Sequence, residues 1–500
     1  MQAIDVRRCG SMAALSCFYL AFLGGEYLFD QRVAMFADAS TVAPAESAVV
    51  GISVVGFLLY PVTLRFAASA RRPMLHVAAV VGAVCLATLG VVQGAALVYA
   101  AGSLALLCLG FVGAAAHDVA AKARAGSFGP VKGPAGAVGV AYATAILLQV
   151  VLQALTGGGL PRAVILALMC VASGALATSR DIDAARGVDA DAGDTAAGTE
   201  DVAVPNPRTL PLLVLAVALM TCVFSTLNVT LTRSHAAGMI DLGSWPRLFL
   251  AASALAAGFA FDGALRHRAP IAMALVSTLS CFAIFSAFAG GPIVLSVAVF
   301  YLGSGAFVTF FTSAFMRAGG DIEPAGLWPS VGRVTNNAVS LAVAAPALAL
   351  VSEAHELSAS AVVLVVLAGI YATVFLLQER EAEALRASAA AVEKNDAPAG
   401  GDGVERSAAP QEAAGTPVTL DPAQKLAAYA AAFGLTSRET EVLEALTTSD
   451  ASMQDVARGL YISRSALYRH ISSICGRVGV QNRQALLLHY FSWDTGSEKR

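Results

Sequence analysis

Through roughly the first 380 residues, apolar positions come in runs of about twenty, interrupted by short clusters of Arg, Lys, Gly, Pro and Asp. A helix of about twenty apolar residues covers roughly 30 Å of hydrocarbon. The opening MQAIDVRRCGSMAALSCFYLAFLGGEYLF carries Arg7-Arg8 ahead of such a run, as a signal peptide would, but Glu26 and the long apolar sequence beyond it point to a retained first span. The pattern predicts further spans at 46 to 68, 74 to 93, 97 to 117, 135 to 156 and 162 to 178. A second set follows at 209 to 230, 246 to 264, 270 to 289, 292 to 316, 328 to 351 and 358 to 378, making twelve in all. The stretch from 179 to 208 is acidic and lacks apolar periodicity, so it is expected to be a disordered connector between two six-helix halves, 1 to 178 and 209 to 380.

After the last run the periodicity changes. Gln378 to Lys394 is rich in Ala, Glu and Arg and should continue as helix. The Gly-, Pro- and Ala-rich segment that completes residues 381 to 417 reads as a flexible linker with a reach of roughly 25 to 30 Å. From 418 to 500 the chain has the character of a small soluble domain. Thr436 with Glu439, Ser452 with Asp455, and Ser463 each read as a helix N-cap. Leu435, Val442, Leu443 and Leu446 share one face of the first of these helices, and Val456, Ala457 and Leu460 share one face of the second. In the third, Leu467, Ile471, Ile474 and Val478 form the inner face, and no acid lies between Ser463 and Arg477. A short helix, a tight turn at Tyr461-Ile462 and a second helix with an acid-free outer face is the layout of a helix-turn-helix that enters the DNA major groove.

Composition agrees with this division. The chain is 57% hydrophobic and 13% charged, about half the charged fraction of a soluble protein. If the N-terminus is cytoplasmic, the segments on that side hold sixteen Lys/Arg, from Arg7 and Arg8 to Arg380 and Arg386, whereas the other side holds only Arg32, Arg162, Arg233 and Arg247. That bias predicts a multi-pass protein of the inner (cytoplasmic) membrane with both termini in the cytoplasm. Net charge is −3, and between Val418 and Arg500 nine Lys/Arg face eight Asp/Glu, so phosphate attraction alone is too weak to hold DNA and binding should need a homodimer or crowding of sites. The cysteines, Cys9, Cys17, Cys85, Cys108, Cys170, Cys222, Cys281 and Cys475, show no metal or redox spacing. No cofactor or metal is implied, and isolated histidines such as His117, His235 and His267 read as span-end or loop residues, not catalysts. An enzyme is not expected.

Two resemblances follow. Gly434 to Phe491 resembles the LuxR-type (NarL- or GerE-type) helix-turn-helix domain of bacterial transcriptional regulators through Leu435-Thr436, Arg438-Glu439, Val442-Leu443, Val456-Ala457, Leu460, Ile462-Ser463, His470, Gly479-Val480 and Arg483. It departs from that pattern at Ala466-Leu467-Tyr468, where family members usually carry threonine-valine-lysine. The resemblance implies a four-helix domain in which Arg464, Ser465, Tyr468, Arg469, Ser472 and Arg477 meet double-stranded DNA, and a last helix from Asn482 to Tyr490 that pairs two copies. The six-plus-six arrangement, with GFAFDGALRHRAP at Gly258 to Pro270 as a short basic loop, resembles the major facilitator superfamily of transporters. The fold expected is therefore all-α: a polytopic bundle of about twelve spans followed by the small DNA-binding domain.

Candidate ligand residues are the polar groups inside cavity-facing spans: Glu26, Gln149, Gln153, Asn336 and Asn337. Asn and Gln can equally serve as polar glue between helices. Arg333 lies about five residues into its span and is expected to snorkel to the inner interface, and Glu26 can be an outer-rim carboxylate. Two functions stay open. The preferred one is a membrane-embedded one-component transcriptional regulator that senses a small molecule or membrane signal; the other is a secondary transporter with an appended DNA-binding domain.

Overall fold

The computed structural model describes residues 6–123, 131, 133–156, 159–178, 209–236, 238–242, 245–288, 290–319, 324–352, 356–395, 422–448, 453–478, 480 and 483–493. The predicted acidic connector, the linker beyond 395 and the capping box at Ser452 lie outside them. Every element among the described residues is a helix, and the chain divides into two compact units, Met1–Pro398 and Ala399–Arg500.

The first unit holds α1 (Val6–Val33), α2 (Ala39–Phe66), α3 (Arg71–Leu89), α4 (Ala95–Lys122), α5 (Pro134–Leu155) and α6 (Gly159–Ala177). It continues with α7 (Leu210–Ala236), α8 (Arg247–Asp262), α9 (Ala269–Phe288), α10 (Ile293–Gly319), α11 (Trp328–Ser352) and α12 (Glu356–Asn395). Ten of these are long and apolar enough to cross a membrane, against the twelve spans expected. The two that fall short are informative. α8 has only 16 residues, and α11 carries Arg333, Asn336, Asn337 and Ser340 in its first half. The last span and the predicted extension form one 40-residue helix.

Helices of the two halves meet in matched pairs, α2 against α11 and α5 against α8. The second seam is tight because glycines let backbones touch. A Cβ on Gly139 would sit 2.5 Å from the Ala254 carbonyl oxygen, and one on Gly258 would sit 2.8 Å from that of Ala135. Burial separates an inner set of helices from an outer one. In their most apolar windows α3, α6 and α12 are only 33%, 33% and 28% buried, whereas α1, α5 and α7 reach 67%, 61% and 61%. Leu, Val and Phe side chains such as Val84, Leu168, Val365 and Phe375 point outward from these outer helices, as a lipid-facing surface requires. α9 is half buried and does not fit the outer set as cleanly.

His117 corrects one expectation, because it is 1% exposed and not a span-end group in water. Its Nδ1 lies 2.7 Å from the Gly113 carbonyl and so carries the proton, which leaves Nε2 to accept from the Tyr19 hydroxyl at 3.3 Å.

Among its described residues the second unit has five helices, not four: α13 (Pro422–Ala432), α14 (Ser437–Thr448), α15 (Met453–Gly459), α16 (Arg464–Val478) and α17 (Arg483–Ser492). The additional helix α13 contributes Leu426 and Tyr429 to a core with Val442, Leu443, Leu467, Ile471, Ile474 and Leu486. Its alternating Lys, Ala and Tyr gave a weak apolar stripe, and Tyr429 is the anchor, fully buried among Phe433, Tyr490 and Trp493. α15 ends with Tyr461 at φ 53 while the Ile462 N–H reaches back to the Ala457 carbonyl at 3.0 Å, which makes the tight turn before α16.

Candidate functional site

α1 turns Glu26, Tyr27 and Asp30 to one side, since residues one turn apart share a helix face. There they line a cavity of about 150 Å³ with Glu46 of α2, Tyr142 and Ile146 of α5, Asn228 of α7, Arg247 of α8, and Phe300, Tyr301 and Ser304 of α10. The first half supplies three carboxylates. The second supplies one cation, and both halves share the apolar wall, Leu23 and Ile146 from the first and Leu250 and Phe300 from the second. Arg247 donates through Nε to the Leu242 carbonyl at 3.1 Å and stacks over the Tyr27 ring at 4.9 Å, so the guanidinium is partly committed before any carboxylate is considered. Its charge still acts on Glu26, Asp30 and Glu46. Buried oxygens on two of the acids, Asp30 Oδ1 and Glu46 Oε2, have no hydrogen-bond partner. Three carboxyl groups and one guanidinium thus share this partly open space with four aromatic side chains, Tyr27, Tyr142, Phe300 and Tyr301.

Of the ligand residues expected from sequence, only Glu26 lines this cavity. Asn337 donates to Ser53 Oγ at 2.9 Å, tying α11 to α2, and Asn336 Oδ1 accepts from Thr221 at 3.5 Å while its Nδ2 donates to Asn337 at 3.1 Å. These amides join helices. Gln149 donates to the Leu23 carbonyl at 3.2 Å, and Gln153 keeps a buried Nε2 without a partner. Asp30, Glu46 and Arg247 were missed because each sits near the end of its span, where a charged residue ordinarily faces water or headgroups. No single-helix pattern reveals that three such ends converge.

Arg333 also departs from expectation. It does not snorkel, being 5% exposed. Its guanidinium carbon lies 5.5, 6.0 and 5.3 Å from the rings of Tyr19, Phe22 and Phe311, and neither Nε nor Nη2 has a hydrogen-bond partner. No ion pair joins it to Glu26 among the described residues.

At the end of the bundle where α5 begins and α8 stops, Asp262 accepts from the backbone N–H groups of Ala135 at 3.1 Å and Gly136 at 2.6 Å. Arg317 of α10 lies 3.6 Å from the same carboxylate.

In the second unit, Arg469 and Ser472 are exposed on α16. The side chains of Arg464, Ser465 and Tyr468 lie outside the described residues. Arg477 is engaged within the unit, donating to the Gly434 carbonyl at 2.9 Å and approaching Glu439 at 3.4 Å. Glu439 is 4% exposed and joins two helices: it closes the capping box with the Thr436 N–H and hydroxyl, both at 2.8 Å, and accepts from Ser473 at 2.6 Å. Burial opposes its charge, but the hydrogen bonds from Ser473 and Thr436, with the Arg477 cation, outweigh it and hold the carboxyl down at about 2.

No protein-family model matches any part of the chain, the C-terminal stretch included, and no curated protein matches it. Among solved structures the human organic anion transporter MFSD10 (TETRAN) aligns with 74% of this chain and 98% of its own length, at 17% identity and a TM-score of 0.49. That degree of likeness carries no activity over to this chain, whose first unit is a bundle of apolar helices with a cavity lined by Glu26, Asp30 and Glu46.

Proposed function

We propose that the first unit is a secondary carrier of the major facilitator type that takes a cationic solute into the cavity between its halves, with a helix-turn-helix DNA-binding domain appended. One observation carries this reading: both halves line one partly open site in which three carboxyl groups face one arginine, a surplus that suits a positively charged guest, with aromatic side chains beside it. The matched pairing of α2 with α11 and α5 with α8 supports it, because two halves built alike and packed face to face can rock about a site at their seam. A purely structural bundle has no need to enclose carboxylate oxygens without partners. Tetraethylammonium binding to the full chain in detergent tests it. Saturable binding that is lost in Glu26→Gln combined with Glu46→Gln is expected, and no binding by the parent chain sinks the reading.

The regulator preferred from sequence takes second place. It is favoured by the capped turn at Tyr461 to Ser463, which leads into a helix whose outer face exposes Arg469 and Ser472. On that reading the cavity is a sensor and the solute an inducer. Selection of DNA fragments by the full chain tests it, and retention of random sequence alone rejects it.

A further inference from the structure

We propose that Arg333 is the seat of a carboxylate or similar oxyanion, so that the solute is amphoteric, with a cationic end at the acidic cavity and an anionic end at this guanidinium. The inference rests on the carrier reading of the same cavity and specifies its substrate class. A guanidinium 5% exposed inside an apolar bundle is costly unless its N–H groups are satisfied. The rings of Tyr19, Phe22 and Phe311 disperse its charge, but a ring face takes up a cation without accepting N–H bonds in the guanidinium plane. The two nitrogens left without partners, Nε and Nη2, form one edge of the planar fork. That edge matches the two oxygens of a carboxylate, which accepts from both in parallel.

Arg333 lies outside the cavity's lining, one ring contact away from it. Tyr142 lines the cavity, and its ring meets that of Tyr19 edge-on at 4.9 Å, on whose ring Arg333 rests. Along α1, Glu26 lies four and seven residues beyond Phe22 and Tyr19, which is about 6 to 10 Å at the helical rise. That rise favours a solute longer than an α-amino acid. An ω-amino carboxylate with a chain of intermediate length, such as 6-aminohexanoate, extends far enough and presents a slender apolar middle to Tyr142.

Three matched probes decide the matter on the full chain in detergent: 6-aminohexanoate, hexylamine and hexanoate, with binding read by calorimetry. The zwitterion is expected to bind at least about tenfold more tightly than hexylamine, and Arg333→Gln to remove that advantage without weakening hexylamine. Arg333→Lys keeps the charge without the paired edge and should lose most of the same advantage. If the zwitterion and hexylamine bind the parent chain alike, the anion seat is overturned while the cationic cavity stands. If hexanoate binds as tightly as the zwitterion and Glu26→Gln has no effect, the seat stands and the cationic reading falls. If no probe binds, both are wrong.

Discussion

Asp262, the last residue of α8, receives the N–H of Gly136 in the first turn of α5 at 2.6 Å, so a side chain of one half caps a helix of the other. Space is tight there: a Cβ on Gly136 would stand 3.0 Å from Asp262 Oδ2, so the carboxylate would have to shift to admit one. The carboxylate also faces the positive end of the α5 dipole. Together with the glycine seam it joins the two halves at that end of the bundle, while the acidic cavity lies toward the opposite end, since Glu26 is twenty residues along α1 from its start. Asp262→Asn keeps the shape but weakens charge-assisted bonds, so exchange of the Ala135 and Gly136 amides should accelerate by about tenfold. Hydrogen-deuterium exchange on the full chain measures it; unchanged protection would mean that the glycine packing alone joins the halves there.

A second link between the halves is the Asn337 amide on Ser53, and it should be worth little in isolation. A double-mutant cycle with Asn337→Ala and Ser53→Ala is expected to give a coupling of about 0.5 to 1.5 kcal/mol, the usual range for hydrogen bonds between membrane helices. A coupling near zero would return Asn337 to the list of ligand candidates.

In the second unit, Glu439 makes stability depend on pH. Its folded carboxyl is held at about 2 against an ordinary 4.5, so its contribution is fully present above about pH 4.5 and is lost as pH falls toward 2. Glu439→Gln should cost about 1.5 to 3 kcal/mol at neutral pH and flatten the acid limb of the stability curve. Denaturant unfolding between pH 2 and 7 checks both.

The fold was largely legible because apolar runs of membrane length and capping residues such as Thr436 and Ser463 are local signals. α13 was not, since its place depends on Tyr429 finding Trp493 and Tyr490 far along the chain. The site was legible only at Glu26. Asp30 and Glu46 stand near span ends where exposure is the ordinary outcome, and Arg333 was assigned to the interface by its depth alone. Depth along a helix says nothing of the rings on neighbouring helices, and those rings keep Arg333 inside. Asn336 and Asn337 show the converse: mid-span amides that mark a helix seam.

The DNA-binding reading of α16 makes a separate prediction. Arg469 is exposed on a face without acids, so Arg469→Ala should weaken binding to a selected site by about 1 to 3 kcal/mol if it contacts a base. Electrophoretic mobility shifts against selected and random DNA measure it; an equal loss on both makes Arg469 a phosphate contact.

The carrier account is tested most directly by uptake of radiolabelled tetraethylammonium into liposomes containing the purified full chain. It predicts saturable uptake above that of empty liposomes, reduced at least about tenfold by Glu26→Gln and by Glu46→Gln in variants that insert and fold as the parent does. Uptake by the parent chain no faster than by empty liposomes, or uptake indifferent to both substitutions, would contradict it.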